Sequence, residues 1–456
     1  MRTGAHRIEH GCCARALGCG IALAVTSCTG SGGEAESADA PRGEAPSALS
    51  DHWQSEPDLT PPYHIAAPGQ SDMGARFADV DGDGHADLVY HYQVDADTHV
   101  SGAYMYRADG WAWSPRFAPP FPIAAAGRGD LGVRLVDLDG DGRTDILYRR
   151  AENNLSDHEG AYLSNRFGWK SAPAFVPPYP ITNSAGDDLG VRFVDLDGDG
   201  RTDMVYHRRI DARRSDKGAY LSTPAGWESA PQFVPSYPIV ADAYGDMGVR
   251  FFDLNGDGRT DMVYHRYLDP NTSEKGAFLS RPAGWVSIAE MAPPFPISAD
   301  DHADMGVRFI DLDGDGRTDM VFHLRASADT VQRGAYINRG SAWVWAADFI
   351  PPVPVAMDGV EDMGVRFVDL NGDGRIDMVY HRRIDARSSE QGAYLSTSFG
   401  WLPAPGLTPP VPIWADDRGD MGVRFVDLNG DGRTDMVYHR WLNGVVQQKG
   451  GLLNLP

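Results

Sequence analysis

The sequence predicts an all-β protein closed into a ring of seven blades. Three observations lead there: abundant glycine and proline, a 58-residue unit repeated seven times without a gap, and chain ends that complete one shared unit. The 456 residues include 52 glycines and 32 prolines, too many for a helical protein but ordinary for short strands joined by many turns. Hydrophobic residues make up 42%, enough to exclude a disordered chain. A net charge of −23 argues against a nucleic-acid partner.

The N-terminus reads as a targeting segment. Arg2, Arg7 and Arg15 precede and flank an apolar stretch, Ala16 to Val25. That stretch is too short to span a bilayer as a helix, which needs about 20 residues. It ends in Val25-Thr26-Ser27-Cys28, which resembles the lipobox of bacterial lipoproteins. The resemblance implies cleavage after residue 27 and a diacylglycerol on Cys28, so the protein is expected to be exported and lipid-anchored to the bacterial membrane or cell surface, touching the membrane through that anchor only. Residues 28–50 are rich in Gly, Ser, Ala and Glu, with little to bury, and read as a flexible tether. All four cysteines (Cys12, Cys13, Cys19 and Cys28) lie in this N-terminal part, so the rest of the chain is left without disulfides or thiolate metal sites.

The repeat comes next. Near copies of MGVRFVDLNGDGRTDMVYHR start at Met73, Leu131, Leu189, Met247, Met305, Met363 and Met421, each 58 residues after the last. Trp53, Trp111, Trp169, Trp227, Trp285, Trp343 and Trp401 form a second series of the same period. Counting seven periods back from Pro456 reaches Asp51 with nothing left over, and the cut falls inside a repeat. Within one repeat, residues 191–196 (VRFVDL), 203–208 (DMVYHR) and 218–222 (GAYLS) read as three strands. The fourth is expected after Gly226-Trp227, on an outer edge bearing Pro231, Pro235 and Pro238. Four-stranded sheets repeated around a circle make a seven-bladed β-propeller over residues 51–456. The N-terminus supplies the outer strand of a blade whose other three strands come from the C-terminus, as a closed ring requires.

Between its first two strands each repeat carries Asp-x-(Asp/Asn)-Gly-Asp-Gly-x-x-Asp. The candidate ligands are Asp79, Asp81, Asp83 and Asp87; Asp137, Asp139, Asp141 and Asp145; Asp195, Asp197, Asp199 and Asp203; Asp253, Asn255, Asp257 and Asp261; Asp311, Asp313, Asp315 and Asp319; Asp369, Asn371, Asp373 and Asp377; and Asp427, Asn429, Asp431 and Asp435. Hard oxygen donors at positions 1, 3, 5 and 9 of a tight loop, with glycines at 4 and 6 allowing positive φ, suit Ca²⁺. Carboxylates packed this closely would repel one another without a cation. An EF-hand is excluded, since position 12 is Tyr90, Tyr148 or Tyr206 where a bidentate Glu is needed. Without residues 1–27 the net charge is −25, and seven Ca²⁺ would bring it to −11, so much of the acidity is ligand charge.

The run FVDLNGDGRTDMV closely resembles the FG-GAP or VCBS repeat of integrin α-subunit propellers and bacterial surface proteins. The resemblance covers residues 51–456. It implies a seven-bladed propeller with metal loops on one face, up to seven Ca²⁺, and an adhesion or ligand-binding role. Unlike integrins, all seven blades carry the loop, so integrin partners are not inferred.

Other positions repeat with the same period. Arg76, Arg134, Arg192, Arg250, Arg308, Arg366 and Arg424 each follow an Asp by four residues and are expected to form blade-locking ion pairs. The seven tryptophans are expected to be inter-blade core in preference to sugar platforms. His91, His207, His265, His323, His381 and His439 share a phase that Arg149 fills in the remaining blade, and read as solvated strand ends. No nucleophile elbow, phosphate loop or zinc motif appears, and residues 203–213 and 377–387 are identical (DMVYHRRIDAR). The expected function is a calcium-binding, surface-tethered, non-enzymatic module, a monomer that binds an extracellular protein or glycan. A multivalent lectin is the alternative and a polysaccharide-degrading enzyme the second.

Overall fold

The computed structural model describes residues 52–455 except 68–71, 152–157, 270–271, 300–303, 328, 359, 361 and 444–445. The N-terminal targeting segment, Cys28 and the tether lie outside the described residues. From 52 onward the chain forms seven small antiparallel sheets in a ring, a seven-bladed β-propeller with four strands per blade. Blades are numbered here by their acidic loops, from Asp79–Asp87 in blade 1 to Asp427–Asp435 in blade 7.

Blade 3 represents the rest. Its strands are Val191–Val194, Asp203–Arg209, Ser215–Thr223 and Gly226–Ser229. The first three match the expected strands closely, but the fourth stops before the prolines. Pro231 opens a 3-10 turn, Pro231–Phe233, and Pro235 and Pro238 lie in the connector to the next blade. The physical reason is that a proline costs a ladder hydrogen bond, whereas a fixed φ suits a turn and an extended crossing segment. Farther along this connector Val240–Ala241 pairs in parallel with Arg208 and Arg209, beyond the start of the innermost strand.

Closure is as the repeat register requires. Trp53–Ser55 pairs antiparallel with Val446–Asn454, so residues from both ends share blade 7. Hydrogen bonds also link neighbouring blades at equivalent places: Ser222 Oγ donates to Leu138 O at 2.6 Å, Asn338 Nδ2 to Leu254 O at 2.6 Å and Ser396 Oγ to Leu312 O at 2.7 Å. In blade 1 the equivalent position is Tyr106, and the last blade's Leu428 carbonyl is met instead by His85 Nδ1 at 2.9 Å.

The tryptophans pack between blades. Trp53 is 1% exposed, and the indole N–H groups of Trp285, Trp343 and Trp401 each donate at 2.8 Å to a carbonyl in the 3-10 turn of the preceding blade. The seven Asp/Arg pairs form as expected, at 2.7–2.9 Å, with the same Asp also accepting the N–H of the intervening glycine, as in Asp72 with Gly74. Burial works against ionisation of Asp72, but the hydrogen bond and charge of Arg76, with Arg424 of the preceding blade, hold its carboxyl below the usual range.

The histidines differ from expectation. All six are buried, 3–9% exposed, not solvated. Their Nδ1 atoms lie 2.7–2.9 Å from the carbonyls of Pro119, Pro235, Pro293, Pro351, Pro409 and Pro61. Arg149 makes the same bond, to Pro177 O at 2.8 Å, which explains why arginine substitutes for histidine there. These carbonyls sit on connectors folded over the second strands, and each needs a donor. Burial lowers the imidazole pKa, to about 4 for His265, and keeps these rings neutral.

A further periodic feature is a tyrosine laid over a glycine. Tyr206 stands opposite Gly218 and stacks on Tyr179 at 4.1 Å. A Cβ on Gly218 would fall 2.5 Å from Tyr206 Cε1. Gly218→Ala should therefore cost about 1–3 kcal/mol by overpacking, read as a lower urea midpoint; an unchanged midpoint would show that the ring can move aside.

Candidate metal loops

Each acidic loop is folded by its own first aspartate. In blade 2, Asp137 accepts Gly140 N–H at 2.7 Å through Oδ1 and Gly142 N–H at 2.9 Å through Oδ2. Those amides converge only because Gly140 and Gly142 adopt φ of 76° and 82°, a region that penalises other residues. The ninth-position aspartate ties the loop to the sheet. Asp145, fully buried, accepts Leu138 N–H at 2.8 Å and Ser164 N–H at 2.7 Å, the latter from the third strand. The same bonding repeats for Asp87, Asp203, Asp261, Asp319, Asp377 and Asp435.

The third-position aspartate is the exception to this satisfaction. Oδ1 of Asp81, Asp139, Asp197 and Asp313 is buried with no hydrogen-bond partner. A buried carboxylate oxygen left unpaired is costly, and here it faces other carboxylates. Four groups bring three carboxylate oxygens within 4.8 Å of one another and could hold a metal ion: Asp79, Asp81 and Asp87; Asp137, Asp139 and Asp145; Asp195, Asp197 and Asp199; Asp311, Asp313 and Asp315. Asp83, Asp141, Asp203 and Asp319, of the same loops, fall outside these groups. Every donor in the groups is a hard oxygen, the chemistry of calcium or magnesium and not of zinc.

The three asparagine-bearing loops are built differently. Asn255 Nδ2 donates to Asp261 at 3.0 Å, while Asn371 and Asn429 Nδ2 donate to Asp373 and Asp431, both at 3.1 Å. Here the amide itself relieves carboxylate repulsion, and Asp253, Asp257, Asp261, Asp369, Asp373, Asp377, Asp427, Asp431 and Asp435 form no three-carboxylate group among the described residues.

Sequence reasoning missed two features of these loops. Neighbouring loops are joined: Thr144 N–H donates to Asp79 O at 2.8 Å, and Thr202 N–H to Asp137 O at 2.8 Å. Arginines also enter the loops. Arg143 Nη1 meets Asp141 at 2.7 Å, and Arg107 and Arg339 reach in from the end of the third strand. The latter were legible as Arg107, Arg281 and Arg339 sharing one phase of the repeat.

Burial, with the charges of the neighbouring aspartates adding to it and the backbone hydrogen bonds opposing, pushes the metal-free Asp87, Asp145, Asp203, Asp261, Asp319 and Asp377 carboxyls up to about 7, and Asp435 to about 6. With folded values above the unfolded value near 3.8, the metal-free fold takes up protons on folding, and its stability falls as pH rises from about 4 to 7. Metal binds the ionised form. The stabilisation conferred by added calcium should thus be full at pH 8 and shrink toward pH 5. The buried histidines contribute with the opposite sign, but equally to melts with calcium and with chelator, so they cancel in the difference. A calcium-induced rise in Tm as large at pH 5 as at pH 8 would contradict this.

No protein-family model matches the chain, and no curated protein does. Among solved structures, a lectin of Agrocybe aegerita that recognises non-reducing terminal N-acetylglucosamine is 17% identical, with a TM-score of 0.49 over 72% of this chain and 78% of that one. AofleA of Arthrobotrys oligospora is 9% identical, with a TM-score of 0.37 over 80% of this chain and 93% of that one. An exotype rhamnogalacturonan lyase, YesX, is 13% identical, with a TM-score of 0.41 over 90% of this chain and 75% of that one. At this level of likeness, neither ligand nor activity passes from these proteins to this chain.

Proposed function

We propose that the protein is a calcium-binding, surface-tethered propeller that acts as a non-enzymatic adhesion or ligand-binding module. The observation that carries the metal is the orphaned buried oxygen of Asp81, Asp139, Asp197 and Asp313, each beside further carboxylates. Calcium fits best because it accepts several oxygens at flexible geometry, including backbone carbonyls, and needs few retained waters. Asp79, Asp81, Asp83 and Asp87, and their counterparts in the other loops, would hold it. The ion would supply charge neutralisation and cross-link the first two strands of each blade. Equilibrium dialysis against millimolar calcium should find several ions per chain, up to seven; none bound would overturn the reading.

A binding role is supported by the near identity of the blades, which offers one surface several times over where catalysis needs unlike groups converging at one point. Export and attachment through Cys28 rest on the sequence alone, and mass spectrometry of the mature N-terminus tests them: an unmodified Cys28 would exclude the anchor.

A glycan ligand is the second reading, favoured by Trp113 and Trp345. These occupy the same position of the outermost strands of blades 1 and 5, are 51% and 50% exposed, and stand edge-on to Tyr104 and Tyr336 at 4.9 and 5.2 Å. A half-exposed indole fixed in this way is a surface on which a sugar ring can stack. On a glycan array, Trp113→Ala with Trp345→Ala should abolish binding if these are the contacts; a protein partner bound one to one, with no glycan retained, would exclude the lectin.

A further inference from the structure

We infer that the seven loops bind calcium with graded affinity, and that Arg107, Arg281 and Arg339 set the gradation as built-in competing cations. This rests on the calcium reading above. Arg107 ends the third strand of blade 1; its guanidinium hydrogen-bonds to Asp81, lies 2.6 Å from Asp83 and comes within 3.8 Å of Asp87. Arg339 Nη1 is 2.7 Å from Asp313 and 3.8 Å from Asp315, and Arg281 is paired with Asp257. The other four blades place Asn165, Thr223, Thr397 and Leu455 at this position, none of which carries charge.

The contacts leave room for a metal. Arg107 and Arg339 take Oδ2 of Asp81 and Asp313, whereas Oδ1 of each is the orphaned oxygen. Arg107 and Arg339 therefore leave a third-position ligand oxygen free and act on it by charge, while Arg107 and Arg281 also hold Oδ2 of Asp83 and Asp257. In the metal-free protein they relieve repulsion among the carboxylates, and in the bound state they repel the ion. Both effects weaken binding, by about tenfold per arginine in these partly exposed sites. The arginines at loop position 7 (Arg143, Arg201, Arg259, Arg317, Arg375 and Arg433) add one cation to every loop but that of blade 1, which has His85 there, so they enter the count as well.

Counting carboxylates and both kinds of arginine then ranks the loops. Those of blades 1, 2 and 3 have four carboxylates and one arginine each. Blade 5 has four with two arginines, blades 6 and 7 three with one, and blade 4 three with two. Calcium titration calorimetry of the chelated protein should show three ions bound tightest, three about tenfold weaker and one weakest. Arg339→Gln should raise the tightest class from three to four, and Thr223→Arg should reduce it from three to two. The two kinds of variant move the count in opposite directions, so a general loss of folding cannot mimic the pattern. Seven equal sites, or a count unmoved by these variants, would overturn the inference while leaving the calcium reading standing. No calcium uptake would overturn both.

Discussion

In millimolar calcium the propeller should melt on the order of 10 °C higher than in chelator. If each loop binds in the range of roughly 10⁻⁴ to 10⁻³ M, tenfold saturation contributes about 1.4 kcal/mol per site by linkage, or about 10 kcal/mol for seven. Against the unfolding entropy of some 400 residues, about 0.85 kcal/mol per degree, that gain converts to roughly 12 °C. The gain is large because in four of the loops the ion would act at a place the fold has left unfinished: the first and ninth aspartates are satisfied by backbone amides, while Oδ1 of Asp81, Asp139, Asp197 and Asp313 is buried without a donor. Neighbouring loops are also joined through bonds such as Thr144 N–H to Asp79 O, so losing ions should loosen the loop face as a unit. Calorimetry with and without chelator checks this; identical melts would deny the ion a structural role.

Much of this architecture was legible because a closed ring makes equivalent demands on every blade, and equal demands appear as equal spacing. The period, the shared blade and the placement of the acidic loops all follow from that. What was not legible depended on partners distant in sequence or on a polar residue's surroundings. Histidine at a strand end reads as solvated by polarity alone, yet His207 is buried because the Pro235 carbonyl folds over it. The clue was a constant separation between five of the six histidines and a later proline, visible only once the proline is seen to need a donor. Prolines after Trp227 invited an edge-strand reading, yet Pro231 begins a 3-10 turn, since a turn loses nothing from a missing N–H. The equivalence of the seven loops was overstated for a similar reason. Asn255 in place of an aspartate looks like a minor change of ligand, but its amide donates to Asp261 and so removes the repulsion a cation would otherwise relieve.

Removing the closing strand should have the second large effect. A chain beginning at Thr60 would lose Trp53 and Leu59, 1% and 2% exposed, together with the pairing of Trp53–Ser55 with Val446–Asn454. Each buried side chain is worth roughly 2–5 kcal/mol on truncation, so their sum approaches the whole stability of an ordinary domain. The loss is also topological. The other six blades each have a fourth strand of their own, but blade 7 would present Val446–Asn454 as a bare edge, with unpaired amides and carbonyls open to a second chain. The shortened protein is thus expected to elute as oligomers or aggregates and to melt well below the full chain. Adding a synthetic peptide of residues 51–59 should restore a monomeric, higher-melting species, because that strand makes its bonds only with blade 7 and its neighbours and needs no covalent link to them. A shortened chain that stays monomeric and melts within a few degrees of the intact one would mean that ring closure contributes little, and that stacking between adjacent blades holds the circle by itself.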